Sequence, residues 1–516
     1  MDLSSYFKIL NEKKSIFSSN NILLDRKIKA LQIIRENGYP SLISSLIPYL
    51  KSDFKQIREL TLFIIKEFLA KIDSKKQLYE TLRYANFSIN DFVFFKNNFT
   101  NEQYLVIIQI SSQNRNGFIR EKSVDELIEV KDGNAIRFLI LRLSDWVESI
   151  RDKAEMGIVQ YKKTEFLLYL IQNLYLFEKI EKVERVNLSQ ISNDIFNFII
   201  KENENYVLEN FSHFSEKERI ILAKKISCAN EIPLSFKKIF LSDKNFIVRS
   251  FALKNFELLE NLEIENLIND NSSKIKLQTL YEIEKRDGLA DIAINFIDDN
   301  SKAIRELARF TLNAKKIDFA TIYIRNLKEG KNVIGSIFGL SEIQSKESID
   351  SIIPYLNSKK ISFAKSAFAA LTTLDSNLAF SFALENLDTN KVGLRNLIIK
   401  YFEKNYTNEV LEKARFIYKT GDFELRKGML KLFNSVGRYF AISDLMIGTI
   451  DENPILRSLS GNYIEKWILK IGSYFIEPNP NDIKNAKEIY KVVSEILVEK
   501  KYFNKSPLEN LNFYFK

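Results

Sequence analysis

Apolar and polar residues recur in a fixed frame along most of this chain. The hexapeptides at residues 45–50 and 351–356, SLIPYL and SIIPYL, are nearly identical, which indicates internal repetition. Seven positions after each hexapeptide comes another apolar residue, at Ile57 and at Phe363. The same step of seven recurs at Leu143/Ile150, Leu241/Val248, Ile268/Ile275, Ile297/Ile304, Leu327/Ile334 and Leu387/Leu394. The chain therefore repeats one short unit many times.

The position after the second apolar residue sets the register of each unit and is called the arginine slot below. The slots fall at residues 58, 90, 120, 151, 249, 276, 305, 335, 364, 395, 426 and 457. Neighbouring slots lie 27 to 32 residues apart, except for one gap of 98 between residues 151 and 249. Because that gap equals about three units, it predicts degenerate or lengthened repeats over residues 164–240.

The inside of a unit follows the period of a helix. Three positions after the slot comes a small residue, as at Thr61, Ala154 and Ala308, and seven positions after it a large apolar one. The positions −1, +3 and +7 lie on one face of a helix with 3.6 residues per turn. The period-two alternation of a strand is absent, so each unit is predicted to be two helices joined by a short Asp/Asn/Ser turn.

Charged residues mark the turn inside each unit. An aspartate often comes four to seven positions before the slot, where its carboxylate can accept backbone N–H bonds and face the positive end of the second helix. These aspartates are Asp53, Asp145, Asp243, Asp299, Asp388, Asp422 and Asp451. The arginines that accompany them are Arg58, Arg151, Arg249, Arg305, Arg395, Arg426 and Arg457.

This pattern resembles HEAT repeats. Pro48 and Pro354 in the first helix, the turn aspartates and the apolar–Arg pairs opening the second helix carry the resemblance over residues 15–470, and the spacing is similar to short bacterial HEAT-like repeats. The resemblance implies an all-α superhelix, a HEAT-like solenoid of about 13–15 two-helix repeats, with a stacked Asp/Arg ladder. Departures from the slot occur at Lys276, Gly335 and Ala364, where less regular packing is expected.

Repeat regularity divides the chain into four segments. Residues 1–163 are expected to be N-terminal HEAT-like repeats, 164–240 degenerate or lengthened repeats, and 241–475 regular repeats. Residues 476–516 are expected to form a capping helix, at about 482–500, and a docked tail, because a solenoid must cover its last apolar face.

The composition limits the kinds of functional site that the chain can form. The net charge of +9 is spread along the chain without a basic block, and no apolar run is long enough to cross a membrane. Cys228 is the only cysteine and His213 is the only histidine. The chain therefore cannot form an intramolecular disulfide or a His-rich metal site. We predict that Cys228 fills space on a helix and that His213 lies in a turn before a Ser215–Glu218 capping box. No metal, cofactor or catalytic group is predicted, and a cytoplasmic location is expected.

Two surfaces are candidates for binding. Exposed positions of the second helices line the concave face in HEAT-like proteins, but the row at slot +5 mixes lysines with Phe63, Met156 and Tyr281 and forms no basic stripe. The aromatic cluster at residues 84–99 is best explained by core packing, with a binding hot spot as the alternative. The periodic arginines are interpreted as structural, against the alternative of phosphate contacts.

Three functions remain open from the sequence. The first is a non-catalytic scaffold or adaptor that binds a protein partner on the concave face of the solenoid. The second is nucleic-acid binding, as in the alkylpurine DNA glycosylases built of HEAT-like repeats. The third is a lyase-type protein resembling the phycobilin lyases, or a regulatory or immunity protein of the HEAT-like class. The oligomeric state is left undetermined.

Overall fold

The computed structural model describes residues 3–13, 20–72, 75–180, 187–228, 232–473 and 478–515, and every regular element in these ranges is helical. The chain forms two compact units, Met1–Leu267 and Ile268–Lys516, each described by itself. Each unit has one continuous apolar core. The expected all-α class built of tandem helix pairs is confirmed, while the four-segment division by repeat regularity stays a prediction.

The first unit consists of α-helices interrupted by short 3-10 turns and one π turn. Its α-helices in the described residues are α1 (Ser4–Asn11), α2 (Asn20–Asn37), α3 (Ile43–Leu46), α4 (Lys55–Leu69), α5 (Lys75–Leu82), α6 (Asp91–Asn98), α7 (Asn101–Ser111), α8 (Gly117–Glu129), α9 (Ile136–Arg142), α10 (Glu148–Gln160), α11 (Leu167–Gln172), α12 (Leu174–Ile180), α13 (Ser189–Asn197), α14 (Glu204–Asn210), α15 (Glu216–Ser227), α16 (Leu234–Leu241) and α17 (Phe246–Ala252); α18 (Asn261–Ile268) contains the unit boundary. The 3-10 turns are Pro40–Leu42, Ile47–Lys51, Gly133–Ala135, Thr164–Phe166, Phe211–His213 and Leu253–Leu258, and the π turn is Phe198–Glu202.

The second unit continues the pairing with longer helices. Its α-helices in the described residues are α19 (Ser273–Glu284), α20 (Leu289–Ile292), α21 (Lys302–Leu312), α22 (Phe319–Glu329), α23 (Val333–Glu342), α24 (Ile349–Leu356), α25 (Ile361–Leu374), α26 (Ser376–Glu385), α27 (Val392–Asn405), α28 (Asn408–Thr420), α29 (Phe423–Val436), α30 (Ile442–Gly448), α31 (Pro454–Ile471) and α32 (Pro480–Lys500). The 3-10 turns are Ala293–Phe296, Asn313–Lys315, Lys346–Ser348 and Leu511–Phe515.

In most pairs the buried face of the second helix follows the frame predicted from the sequence; the frame is wrong at slot 90, where Ile89 and Val93 are exposed. In α10, for example, Ile150, Ala154 and Ile158 at positions −1, +3 and +7 are all fully buried. Burying a side chain of the size of isoleucine stabilises the fold by roughly 1.5–3 kcal/mol. Within a pair α28 packs against α29, and across pairs α27 packs against α29, so stacking completes each core.

The buried face differs from the predicted one at two slots that hold a small residue. In α23 and α25 the slot residues, Gly335 and Ala364, are themselves buried, and the preceding Ile334 and Phe363 are only partly buried. A small residue at the slot lets this face of the helix turn inward. In α23 the expected irregularity is a rotation of the buried face, whereas in α25 Ala364 joins that face and Ala367 and Leu371, at positions +3 and +7, stay fully buried.

Gly335 gives a direct test of this close packing. A Cβ atom there would lie 1.8 Å from the backbone carbonyl oxygen of Asp298, so Gly335→Ala forces backbone to move. We expect a loss of about 1–3 kcal/mol in the free energy of unfolding, measured by urea denaturation. Gly472→Ala is the matched control, because no atom lies within 4 Å of its Cβ position. Equal stability of the two variants would contradict the close approach.

Residues 164–240 are the least regular part of the first unit. Here α11 and α12 are separated by Asn173, and α13 runs directly into the π turn. The predicted turn at His213 and the capping box are confirmed, since Ser215 accepts a bond from the Glu218 N–H and the Glu218 carboxylate accepts one from Ser215 N–H. The prediction that Cys228 fills space is wrong, because its side chain is exposed at the end of α15.

The C-terminal helix and the tail after it pack together. Helix α32 begins two residues earlier than expected, with Asn479 capping its N-terminus. In the tail, Leu508, Leu511 and Phe515 are buried, and the Tyr439 hydroxyl donates a hydrogen bond to the carbonyl oxygen of Tyr514 at 3.1 Å. The tail thus covers apolar surface of the second unit.

A helix can cross a membrane only if it is long and apolar enough. The longest helix of the described residues, α32, has 21 residues and carries many lysines and glutamates. Within the ranges that the structure describes, no helix combines the length and apolar character needed to cross a bilayer.

Candidate functional site

The slot arginines donate first to the turn of their own helix pair. Nη1 binds the carbonyl oxygen six residues earlier in most pairs, for example from Arg151 to Asp145 at 3.0 Å. The other pairs with this six-residue contact are Arg58–Ser52, Arg120–Asn114, Arg249–Asp243, Arg305–Asp299, Arg395–Thr389 and Arg457–Asp451. These bonds satisfy carbonyl groups of the turn that joins the two helices of a pair.

In some pairs the guanidinium group also reaches the turn aspartate of the following pair. Arg120 binds both oxygens of Asp145 at 2.8 Å, and Arg426 forms an ion pair with Asp451. The same aspartates accept the N–H group two residues further on, as Asp145 does from Val147 at 3.0 Å. Each such aspartate therefore shapes its own turn and ties it to the preceding pair, which is the geometry we propose for the ladder.

Two members of this arrangement were not picked out from the sequence as bridging residues. Arg219 donates to the Phe214 carbonyl at 2.7 Å and to the Asp243 carboxylate at 2.7 Å, so it occupies an arginine slot inside the gap of 98 residues. The sequence signal that could have identified Arg219 as a slot residue is its spacing of 30 residues from Arg249. Lys276, noted as a departure, reaches Asp299 at 2.5 Å in place of an arginine.

Three other aspartates predicted for the ladder differ from Asp145 in their exposure or hydrogen bonds. Asp53 and Asp388 are exposed, and the backbone carbonyl of Asp53 accepts a weak bond from Arg58 at 3.4 Å. Asp422 caps α29 by accepting the N–H of Leu425 at 2.9 Å. Arg395, whose next-pair aspartate would be Asp422, instead donates to the carbonyl oxygen of Glu424 at 3.3 Å.

A glutamate replaces the turn aspartate beside Arg305. The Arg305 side chain is almost completely buried and forms an ion pair with Glu342, which also accepts from Arg309 at 2.7 Å. Burial works to raise the pKa of Glu342, but hydrogen bonds from the two arginines hold that pKa below its ordinary value. Arg309 also donates to the Tyr323 hydroxyl at 3.0 Å. Glu342 lies on α23, so spacing from the slot did not reveal it.

A cavity of about 600 Å³ opens at the edge of the first unit where three successive turns lie side by side. The turns are held together by bonds from Asn114 to the Ala85 carbonyl at 2.6 Å and from the Arg115 N–H to the Arg83 carbonyl at 2.9 Å. Helix α5, the turn after α7, the first turn of α8 and the turn after α9 form the walls. The lining residues are Lys76, Tyr79, Gln113, Arg115, Arg120, Leu141, Arg142, Ser144, Asp145 and Trp146.

Arg142 is a buried cation in the wall of this cavity. It donates to Asp145 at 2.9 Å and to the Gln113 side-chain oxygen at 3.1 Å, and its Nε atom has no partner among the described residues. Burial lowers the pKa of Arg142 to about 10, opposed by the charge of Asp145 and aided by that of Arg120. For Asp145, burial acts to raise the pKa, yet Arg120 and Arg142 hold it below the ordinary value. One carboxylate thus serves two buried arginines.

Aromatic side chains surround the mouth of the cavity. Trp146 is 80% exposed, and Tyr84, just outside the lining, is 56% exposed. The guanidinium groups of Arg83 and Arg115 lie 4.6 Å and 5.2 Å from the centre of the Tyr84 ring. Of the aromatic cluster at residues 84–99, the structure buries Phe92, Phe95 and Phe99 in the core and leaves Tyr84 at the surface. Nothing in the sequence frame had singled out Arg142 or Trp146.

A second surface follows the slot +5 row. On the neighbouring helices α19 and α21 of the second unit, Tyr281 is 48% exposed and Phe310 is 76% exposed. In the first unit, Phe63 and Met156 are also exposed at this position, and Arg35 lies over the Phe63 ring at 4.7 Å. Leu340 departs from the row because the rotated α23 buries it.

Comparison with known proteins adds only distant likeness. No protein-family model matches the chain, and no curated protein matches it. Among solved structures, karyopherin Kap121p bound to the extreme C-terminus of the protein phosphatase Cdc14p is 10% identical with a TM-score of 0.37, covering 98% of this chain and 70% of that one. The Kap95:Nup1 complex is 11% identical with a TM-score of 0.32, covering 98% and 80%.

The chain is shorter than some of these structures. It spans 57% of the Kap121p crystal structure, at 13% identity and a TM-score of 0.28, with 91% of this chain covered. Identities and TM-scores of this size carry no argument about partners. Function has to be argued from the residues of this chain.

Proposed function

We propose that this chain is a non-catalytic scaffold that binds a protein partner along the slot +5 row of its second helices. The observation that carries the proposal is the exposure of Tyr281 and Phe310 at the same position of adjacent helices. Large aromatic side chains exposed to solvent on a packed helical surface are typical of protein-binding sites. Truncating such anchors commonly costs more than about 2 kcal/mol of binding free energy.

The row has the mixed character of a protein interface. Phe63 and Met156 extend it in the first unit, while Lys254, Lys400 and Lys431 occupy the same position in other pairs. Apolar anchors separated by charged residues suit a protein surface, which has a hydrophobic centre and a polar rim. The row does not favour the nucleic-acid alternative, for which a basic stripe is expected. The cytoplasmic location and the similarity to bacterial repeats remain predictions.

Replacing the two aromatic anchors tests the proposal. We expect Tyr281→Ser with Phe310→Ser to reduce recovery of the native partner more than tenfold in quantitative affinity purification, because both side chains lose their buried contact with the partner. Phe416→Ser is the matched control, since Phe416 is 66% exposed but lies on α28, the first helix of its pair. Recovery of no reproducible protein partner, or equal recovery with both variants, would contradict the proposal.

A further inference from the structure

The turn-edge cavity of the first unit has the size and enclosure of a ligand site. Its volume of about 600 Å³ falls within the range of about 300–1,000 Å³ typical of small-molecule pockets. The walls combine the rings of Tyr79 and Trp146 with the side chain of Leu141, so an organic group could contact apolar surface on several sides. The cavity is separate from the slot +5 row and does not depend on the function proposed for that row.

The charges of the lining are unbalanced. Four cationic side chains, those of Lys76, Arg115, Arg120 and Arg142, face one carboxylate, that of Asp145. Asp145 already accepts bonds from Arg120, Arg142 and the Val147 N–H group. Its capacity is thus largely used, and the cavity keeps an excess of positive charge that an anion would offset.

Arg142 is a buried cation of this lining with one hydrogen-bond donor unused. Its side chain is more than nine-tenths buried, and its Nε atom has no hydrogen-bond partner among the described residues. Burial depresses the pKa of Arg142, which means that the fold holds this cation at a cost. A second negative group in the cavity would favour the charged form and stabilise the arrangement.

Arg115 is placed to complete the contact at the mouth. It is exposed, lies over the Tyr84 ring, and forms neither an ion pair nor a side-chain hydrogen bond within the described part of the chain. Its planar guanidinium can bind two oxygens of one phosphate or carboxylate at once. Trp146 beside it offers a flat face to an aromatic or other planar group.

We propose that this cavity binds an organic anion, in which a phosphate or carboxylate meets Arg115 and the Arg142 side of the wall while a planar apolar body packs against Tyr79 and Trp146. The shared chemistry is an oxyanion joined to a ring. The experiment separates the phosphate head group from the carboxylate.

Titration calorimetry on the full chain measures the binding. The probes are phenyl phosphate, phenylacetate, inorganic phosphate and the neutral benzyl alcohol. We expect saturable binding of at least one of the two aryl anions, weaker binding of inorganic phosphate, and none of benzyl alcohol. Higher ionic strength should weaken the binding, because part of the site is open to solvent. Whichever aryl anion binds more tightly identifies the preferred head group.

Tryptophan fluorescence locates the bound probe. The chain has two tryptophans, and Trp467 is buried in the second unit while Trp146 is at the cavity mouth. We expect the bound aryl anion to change the emission of the wild-type protein and to leave the emission of Trp146→Phe unchanged. A probe response that survives in Trp146→Phe would place the ligand elsewhere and overturn the assignment.

Matched arginine variants test the contact itself. Arg115→Gln should weaken binding of the aryl anion about tenfold or more, as expected for loss of a charge-assisted pair. Arg325→Gln removes the same charge from an exposed site of the second unit and should leave affinity unchanged. Arg142→Met is compared only after circular dichroism and urea unfolding show a folded first unit, and it should abolish binding. No saturable heat with any anion, equal weakening by Arg115→Gln and Arg325→Gln, or equal affinity for benzyl alcohol would each overturn the proposal.

Discussion

Replacing Asp145 by asparagine is expected to lower the free energy of unfolding of the first unit by about 3–5 kcal/mol. The carboxylate is almost completely buried and accepts hydrogen bonds from Arg120 at 2.8 Å and from Arg142 at 2.9 Å. Asparagine keeps the size but leaves two buried cations without a counter-charge. Urea unfolding followed by the fluorescence of Trp146, which lies in this unit, measures the change.

The pH dependence of this variant follows from the direction of the pKa shift. Burial opposes ionisation of Asp145, but Arg120 and Arg142 hold its folded pKa below the unfolded value. The stability that it supplies is therefore present above the unfolded pKa and is lost as pH falls through the folded pKa. We expect the gap between wild type and Asp145→Asn to be full near neutral pH and to shrink below about pH 4.

Asp53 offers the control for the same substitution in the same unit. Its side chain is exposed, so Asp53→Asn should change the free energy of unfolding by less than about 0.5 kcal/mol. If Asp145→Asn cost no more than Asp53→Asn, the two arginines would not depend on the carboxylate, and the structural role that we propose for it would fail.

Replacing Glu342 by glutamine is expected to cost the second unit about 3 kcal/mol. Glu342 receives bonds from Arg305, which is almost completely buried, and from Arg309 at 2.7 Å. Removing the negative charge leaves Arg305 with the Asp299 carbonyl as its other hydrogen-bond acceptor. The estimate is placed at the lower end of the range for buried pairs because Glu342 keeps some contact with solvent.

Urea unfolding followed by Trp467 fluorescence reports on this unit. Glu329→Gln is the control, since Glu329 pairs with Lys331 at an exposed position, where an ion pair adds little to stability, so this variant should unfold like the wild type. A double variant with Arg305→Met measures the coupling, and we expect it to recover much of the loss because the uncompensated charge is gone. A coupling energy near zero would contradict the role given to Glu342.

The repeat itself was predictable because it depends on local periodicity. A helix that buries one face must repeat apolar residues at the helical period. The spacing of Ile150, Ala154 and Ile158 therefore predicted a buried face from the sequence alone. The capping box at Ser215 was readable for the same reason, since its donors and acceptors lie within four residues. The all-α class followed from these signals.

The contacts of the charged residues were less predictable. The sequence placed an aspartate and an arginine in each turn, but it did not say that Arg120 would reach Asp145 of the following pair, or that Glu342 would replace the missing aspartate beside Arg305. Such pairing depends on how neighbouring helix pairs stack. The same stacking rotated α23 about the close contact at Gly335.

What the sequence alone determined is therefore the helical repeat and, in most pairs, its register and the residues that fill the core, because these are fixed by spacing along one helix. The tertiary structure alone decided the turn-edge cavity, where side chains from separate pairs meet and one carboxylate serves two buried arginines. Lys76, Arg115 and Arg142 are distant in sequence and follow no common period. Only the stacking of their turns brings their charges together.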